Sequence, residues 1–259
     1  MQNNMMLGVD VGGSGIKGGL VNIETGEMIG ERFRLETPKP SHPDAVAEVF
    51  SKVIEHFEWT DVIGCGFPSV VKNGVTYTAA NIDKGWIGVN AAEILSEACG
   101  QEVFVRNDAD LAGLAELTFG VGKEHQNGVV LLITIGSGLG SALFINGHMV
   151  PNTEFGHLYL KGQDSIAEHY AADSARKRED LSWKAWGNRF NEYLEHINFL
   201  FSPNLIILGG GASKKFAKYK EQLKVKTKVI PASLLNSAGI IGAAYFAHQN
   251  KQRLATAAE

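Results

Sequence analysis

The chain has 259 residues, enough for one large or two small domains with a buried core. Its 44% hydrophobic and 20% charged content is that of a soluble globular protein, and a formal net charge of -4 gives no global reason to expect nucleic acid or an anionic membrane as a partner. Its two cysteines, Cys65 and Cys99, lie in apolar surroundings without CxxC spacing and read as small core residues in a reducing compartment.

The opening MQNNMM has no basic region, and no apolar stretch reaches about 18 uninterrupted residues, so neither a leader nor a membrane anchor is expected and the location reads as cytoplasmic. Leu7 to Val11 predicts a strand, Gly12 to Gly15 a tight turn and Ile16 onward a second strand. A dinucleotide fingerprint needs a helix after the glycines, and Gly18 and Gly19 speak against one; a P-loop needs Gly-Lys-Ser/Thr, which Ile16-Lys17-Gly18 does not supply. Glu27 to Glu36 reads as a third strand, TPKPSHP (37–43) as a loop, Ala45 to Phe57 as an amphipathic helix and Asp61 to Phe67 as a strand. A small hairpin over Val70 to Tyr77, a polar loop from Ala79 to Trp86, and a helix from Ala91 to Cys99 that stops at Gly100 complete a first lobe.

A second lobe is predicted to start near Val103, with a strand running into Asn107-Asp108 and a helix over Leu111 to Phe119. Val129 to Thr134, a glycine turn at Gly136 to Gly140 and Ser141 to Asn146 repeat the opening strand–turn–strand plan, which points to a duplicated fold. Ser182 to Phe201 reads as a long helix, Asn204 to Leu208 as a strand into a third glycine turn (Gly209, Gly210, Gly211), and Ala238 to His248 as a last helix whose AGIIGAA permits close backbone approach. The tail after Asn250 is expected to fray. The domains so divided are 1–105, with the helix at about 238–250 packing back on it, and 106–237.

Four groups of residues carry chemistry. Successive amides in a glycine turn converge on an anion, and Asp10, Gly12, Gly13, Ser14, Gly15 and Lys17 place a carboxylate, such a turn and a lysine within eight residues. An ordinary glycine-rich hairpin is the plain alternative. Asp108, between a strand end and a helix start, is the candidate general base for phosphoryl transfer to an alcohol; the alternative is that Asn107 or Asp108 caps the helix. Glu154, His157 and Glu168 are candidates for bonding the vicinal hydroxyls of a sugar, with metal ligation by His157 and a carboxylate, or a structural histidine, as alternatives. Finally, Lys214 to Lys228 holds seven lysines and one acid, Glu221, in a chain of net negative charge; it reads as a solvated helix and edge strand or as a track for a polyanion.

With these residues the chain resembles the ROK sugar kinases of the actin-like ATPase superfold, and within them the polyphosphate-using glucokinases. The resemblance runs from about Leu7 to Ala247 and rests on DVGGSGIKGG (10–19), TAANIDKGW (78–86), NDADLAGLAE (107–116), TIGSGLGSALF (134–144), VPNTEFGHL (150–158), LSWKAW (181–186), SPNLIILGGGASKK (202–215) and NSAGIIGAA (236–244). It implies an α/β, actin-like ATPase (ribonuclease H-like) duplicated fold with two lobes around a cleft that closes over glucose. It implies Asp108 as general base toward the glucose 6-hydroxyl, and Asn81, Asn107, Asp108, Glu154, His157 and Glu168 at sugar-binding positions. Gly12 to Lys17, Thr134 with Gly136, Ser137 and Gly138, and Gly209 to Gly211 match phosphate loops; Lys214, Lys215 and Lys218 follow the last of these, and Asp10 matches the Mg²⁺-facing aspartate. A homodimer using polyphosphate, ATP or both is implied.

Two departures stand out. LYLKGQDSIAEHY (158–170) holds no cysteine where many ROK kinases carry a zinc cluster, so no zinc is expected. Ser137 stands where the second loop usually has threonine, which keeps the hydroxyl. A ROK repressor is not expected, since only five residues precede Met6. An ATP-only hexose or amino-sugar kinase and a non-catalytic sugar sensor stay open beside the polyphosphate glucokinase.

Overall fold

The computed structural model describes residues 4–258; Met1 to Asn3 of the opening stretch and Glu259 lie outside it. The chain forms two compact units, residues 1–115 with 237–259, and residues 116–236. The first unit contains β1 (Met5–Gly12), β2 (Gly15–Asn22), β3 (Met28–Leu35), α1 (Pro43–His56), β4 (Ile63–Phe67), the two-residue strands β5 (Val71–Lys72) and β6 (Val75–Thr76), α2 (Ala91–Cys99), β7 (Val103–Asn107) and α3 (Asp108–Thr118), which runs into the second unit. The second contains β8 (Val129–Ile135), β9 (Leu139–Ile145), β10 (His148–Val150), α4 (Ala167–Ala171), α5 (Asp173–Arg178), α6 (Trp183–Phe201), β11 (Leu205–Gly209), α7 (Gly210–Ser213) and β12 (Lys228–Pro231). The C-terminal helix, Ala238–Ala258, belongs to the first unit.

Each unit is built on a five-stranded sheet, in the orders β3-β2-β1-β4-β7 and β10-β9-β8-β11-β12. In both, three antiparallel strands are followed by two parallel ones, so the second sheet repeats the first strand for strand. The central strands are apolar because both their faces are covered: β4 and β11 are buried along their whole length. One core gathers Leu7, Val9, Phe50, Ile63, Phe67 and Trp86; the other gathers Leu131, Ile133, Trp186, Phe190, Tyr193 and Leu208. Each such side chain removed from water contributes roughly 1.5–3 kcal/mol. The long helix α6 starts where Ser182 Oγ accepts from the Ala185 amide (3.1 Å) and stops where Ser202 turns left-handed at φ 44°.

The structure revises four readings. The second unit does not begin near Val103: β7 pairs in parallel with β4, from Ile63 opposite Val103 to Phe67 opposite Asn107, which places 103–115 in the first unit. The third glycine segment is a strand-to-helix junction rather than a turn, because Gly209 ends β11 while Gly210 and Gly211 open α7. The lysine run has no regular helix beyond α7; it contains two single 3₁₀ turns, Phe216–Lys218 and Lys220–Gln222, before the edge strand β12. The tail after Asn250 does not fray but continues as helix to Ala258, tied by an ion pair from Lys251 to Asp61.

The small residues of the C-terminal helix do what their size permits. An added Cβ at Gly64 would lie 1.8 Å from the Ala243 carbonyl oxygen, and one at Gly8 2.0 Å from that of Ile240. Sheet and helix therefore touch backbone to backbone. Gly64→Ala is expected to cost about 2 kcal/mol or more, since the main chain cannot yield as a side chain would. Urea unfolding measures this, and a loss below about 0.5 kcal/mol would show that helix and sheet separate freely.

Candidate active site

In the first unit, three parallel strands end side by side. Asp10 on β1 stands opposite Gly66 on β4, and Phe67 opposite Asn107 on β7, so Asp10 and Asp108 emerge where side chains leave the sheet at its carboxyl edge. Gly66 separates them: a Cβ there would be 3.5 Å from Asp10 Oδ1 and 3.7 Å from the Asp108 Cα. On another side of the Asp10 carboxylate lies Gly239 of the C-terminal helix, whose Cβ would be 3.2 Å from Asp10 Cγ. Lys17, opposite Asp10 in the β1–β2 ladder, brings Nζ to 3.1 Å from Oδ2. Lysine and carboxylate are thus partners of one another.

The turn between β1 and β2 is held from β3 and the loop beyond it. Arg34 Nη2 donates to the Ser14 carbonyl at 2.6 Å, and the buried Thr37 hydroxyl donates to that of Gly12. The Asn81 carbonyl lies where a side chain on Gly13 would be, 2.8 Å from its ideal Cβ. Behind Asn81 the loop is pinned by the buried Trp86, whose indole donates to the Ser41 carbonyl (3.0 Å), and by Asp83, which accepts from the Gly85 amide (2.7 Å).

At the start of α3 the two neighbours divide the work. Asn107 caps the helix: its Oδ1 accepts from the amides of Ala109 (2.9 Å) and Asp110 (3.1 Å), while its Nδ2 donates to the Ser69 carbonyl (3.1 Å). Asn107 is buried, and Asp108, half-buried, is the first helical residue, with Oδ1 accepting from the Ala109 amide at 2.8 Å.

In the second unit the predicted residues gather around Leu139. Glu168 on α4 accepts from the Leu139 amide through Oε2 (2.8 Å), and an ideal Cβ on Gly138 would be 2.2 Å from the same oxygen. Gly156, between Glu154 and His157 in a single 3₁₀ turn, packs its Cα against the Leu139 carbonyl, with an ideal Cβ 2.4 Å from it. The segment before that turn is latched to β9: Ser141 Oγ donates to the Thr153 carbonyl (2.6 Å) and accepts from the Phe155 amide (3.0 Å). Burial pushes the Glu154 carboxyl above the ordinary carboxylate range; the nearby His157 opposes this and Glu168 adds to it. Behind them Tyr193 on α6 is fully buried, and its phenol is raised by burial and further by Glu168 and Glu154.

Beside this group, Gly209 ends β11 opposite Thr134 on β8, and Gly210, at φ 75°, presses on the backbone of Ile135, 2.5 Å from its carbonyl oxygen to an ideal Cβ. Only glycine combines that conformation with that contact. The second and third glycine segments are therefore adjacent. Lys214, Lys215 and Lys218 are exposed, as are the other four lysines of the run; apart from Lys220, 3.9 Å from Glu221, none is in an ion pair among the described residues.

A magnesium-type cation keeps several waters and takes one or two carboxylates together with substrate phosphates. Asp10, half-buried at a strand end beside a glycine turn, fits that demand with one carboxylate. Among the described residues no three His, Cys, Asp or Glu side chains gather in a group that could hold a metal, so the metal-ligating alternative for His157 finds no cluster. No helix among them is long and apolar enough to cross a membrane. Both cysteines are free.

Sequence reasoning missed Arg34, Thr37, Ser141 and Ser174, which hold the turns and loops rather than line them. Their partners lie 12 to 37 residues away, and no local pattern marks such a pairing.

Two sheets of one plan, each offering a glycine turn, with acids at the carboxyl ends of the first, define an α/β phosphotransferase of the actin-like ATPase fold. Residues 6–171 match the ROK family, and the chain belongs to it. It is 47% identical over 238 residues to the polyphosphate glucokinase of Mycobacterium tuberculosis, covering 92% of this chain and 89% of that protein. The crystal structure of an inorganic polyphosphate/ATP-glucomannokinase from Arthrobacter sp. strain KM is similar at 42% identity, TM-score 0.90, over 96% of this chain and all of that one. A ROK glucokinase from Streptomyces griseus shares the fold at 22% identity and TM-score 0.80, over 95% of this chain and 99% of that one.

The raised Glu154 carboxyl carries a stability consequence. A carboxyl that folding makes harder to ionise adds stability while protonated and loses it as pH rises from the ordinary range through the raised value. Glu154→Gln removes that ionisation. The variant should melt above the parent near pH 7, with the gap closing toward about pH 4; a gap independent of pH in thermal melts would mean that burial of this carboxylate costs nothing.

Proposed function

We propose that the chain is a glucokinase that transfers a phosphoryl group from inorganic polyphosphate, with ATP as a second donor, to the 6-hydroxyl of glucose. The observation that carries this reading is the 47% identity to a polyphosphate glucokinase, spread over 92% of the chain. The Arthrobacter enzyme, named for both donors and for both glucose and mannose, supports ATP as the second donor and favours mannose as a second acceptor. The protein works in the cytoplasm as a homodimer.

Phosphoryl transfer is catalysed by positioning and charge more than by covalent chemistry. Asp108 accepts the proton of the 6-hydroxyl as that oxygen bonds to the terminal phosphorus and the phosphoanhydride bond breaks; the shortened polyphosphate, or ADP, leaves. Its place at the first turn of α3, at the carboxyl edge of the first sheet, supports Asp108 as the base. Asn81, Asn107, Glu154, His157 and Glu168 bond the sugar's hydroxyls. The turns at Gly12 to Gly15 and Gly136 to Gly138 supply amides to phosphate oxygens, with Thr134 and Gly209 to Gly211 beside the second. Asp10 would hold Mg²⁺, which when bound neutralises phosphate charge. Lys214, Lys215 and Lys218 draw the polyanion.

A glucose 6-phosphate assay with Mg²⁺, comparing polyphosphate and ATP as sole donors at matched phosphate equivalents, tests the reading. Product with polyphosphate well ahead supports it; ATP alone would make this an ATP-dependent hexose kinase; no product with either would overturn it. Asp108→Asn should lower kcat by about 10²–10⁴-fold while calorimetry shows glucose binding nearly intact, and substantial residual turnover would remove Asp108 from its role. Combined Lys214→Glu, Lys218→Glu and Lys224→Glu should impair polyphosphate use more than ATP use. Equal losses would reduce the run to a solvated surface.

A further inference from the structure

The second glycine turn is closed by the Ile135–Leu139 pair of the β8–β9 ladder and, among the described residues, by one bond inside it, from the Gly136 amide to the Gly138 carbonyl (3.0 Å). Further bonds come from one short stretch, α4 and the start of α5. Ser174 Oγ donates to the Ser137 carbonyl at 2.6 Å, and the Ser174 amide donates to the Gly136 carbonyl at 3.2 Å. Six residues earlier, Glu168 Oε2 accepts from the Leu139 amide at 2.8 Å and fills the space beside Gly138. The turn is gripped at both ends by one segment.

That segment is itself stiff. The Ala172 amide donates to the Glu168 carbonyl (3.1 Å), which fixes the spacing of the two grips. The largely buried Asp173, beside Ser174, is ion-paired with Arg176 (2.6 Å) and Lys177 (2.8 Å), and the Arg176 guanidinium lies 4.1 Å over the Trp183 ring. From its other side Leu139 carries the Gly156 backbone, and with it Glu154 and His157.

We infer that Ser174 is a positioning residue for the phosphoryl donor: with Glu168 it clamps Gly136 to Leu139, and through Glu168 the clamp makes sugar occupancy and the order of this loop interdependent. The inference rests on the functional reading above, in which Glu168 bonds the sugar and the loop bonds the donor. A carboxylate shared between a ligand hydroxyl and a backbone amide transmits the presence of one to the other. Such coupling is reciprocal, so a sugar that orders the loop favours the donor by the factor with which the donor favours the sugar. Ser174 touches neither ligand in this scheme. It acts only through the shape of the turn.

The test uses the full chain and the variants Ser174→Ala and Ser174→Thr, with melting temperatures checked first. Hydrogen exchange is followed at the amides of 136–139 with and without glucose, glucose affinity by calorimetry, and kcat and donor KM by turnover. In the parent, glucose should slow exchange of the loop. In Ser174→Ala the loop should exchange faster by about fivefold, and donor KM should rise and glucose affinity fall together by similar factors, as reciprocal coupling requires. Ser174→Thr, which keeps the hydroxyl, should restore the parent's values. Unchanged loop exchange in a Ser174→Ala protein of parental melting temperature overturns the clamp, and so does a threonine variant no better than the alanine one. A parent without turnover on glucose would instead fell the functional reading, while loop exchange still decides the clamp.

Discussion

The first unit depends on a contact between main chains. The C-terminal helix lies so near the sheet that Gly8 and Gly64 could hold no side chain against Ile240 and Ala243, and Gly242 meets the Leu111 carbonyl on α3 at 1.8 Å from an ideal Cβ. Interiors packed to this density transmit position faithfully because nothing in the contact has a rotamer to change. The same helix brings Gly239 against Asp10, and α3 begins at Asp108. The two acids are therefore located by backbone packing and strand register, with Gly66 between them. A side-chain network could be retuned by one substitution; this arrangement cannot be altered without moving a helix.

What the sequence made legible follows from how local each signal is. The opening strand–turn–strand, the helix Ala91–Cys99 with its Gly100 stop, and the helix ended at Phe201 are written in periodicity and in residues a few positions apart, and they form as expected. The duplication was legible because glycine turns recur between apolar strands, and the two sheets repeat one strand order. Readings that failed concern long-range partners. Val103 to Asn107 looks like the start of something new because a strand does not announce its neighbour, and that neighbour is β4, about 40 residues earlier. Gly209 to Gly211 looks like the earlier turns because three glycines do not say whether a strand or a helix follows. The tail past Asn250 looked weak on composition alone, yet the helix continues with Lys251 anchored on Asp61.

The two glycine turns show how one plan diverges. Each is held by a hydroxyl and a charged side chain: Thr37 and Arg34 for the first, Ser174 and Glu168 for the second. The hydroxyls and Arg34 bond to carbonyl oxygens, those of Gly12, Ser14 and Ser137. Clamping carbonyls directs the intervening amides the other way, which is what an anion requires of a turn. Glu168 is the exception, since it takes an amide, at Leu139. On the proposed function, the second turn thus gives one donor to a residue of the sugar group, so that recognition of sugar and of phosphate meets in a single side chain.

On the proposed function, charge distribution accounts for how a donor without a base is recognised. A nucleotide offers a ring and a ribose to bind, whereas polyphosphate offers only charge and length. On that reading the lysine run answers to charge and length alone. Tyr219 is buried against Trp183, Trp186, Phe190 and Phe216, and around this anchor the lysines from 214 to 228 all point to solvent. Since the whole chain carries -4, the rest of the molecule is more negative still. At physiological salt, charges are felt over about 8 Å, so a polyanion is drawn where these lysines stand, just after Gly209 ends β11 and Gly210 and Gly211 open α7. On the proposed function, the lysines set which donor arrives, and the turns with Asp108 set what is done with its last phosphate.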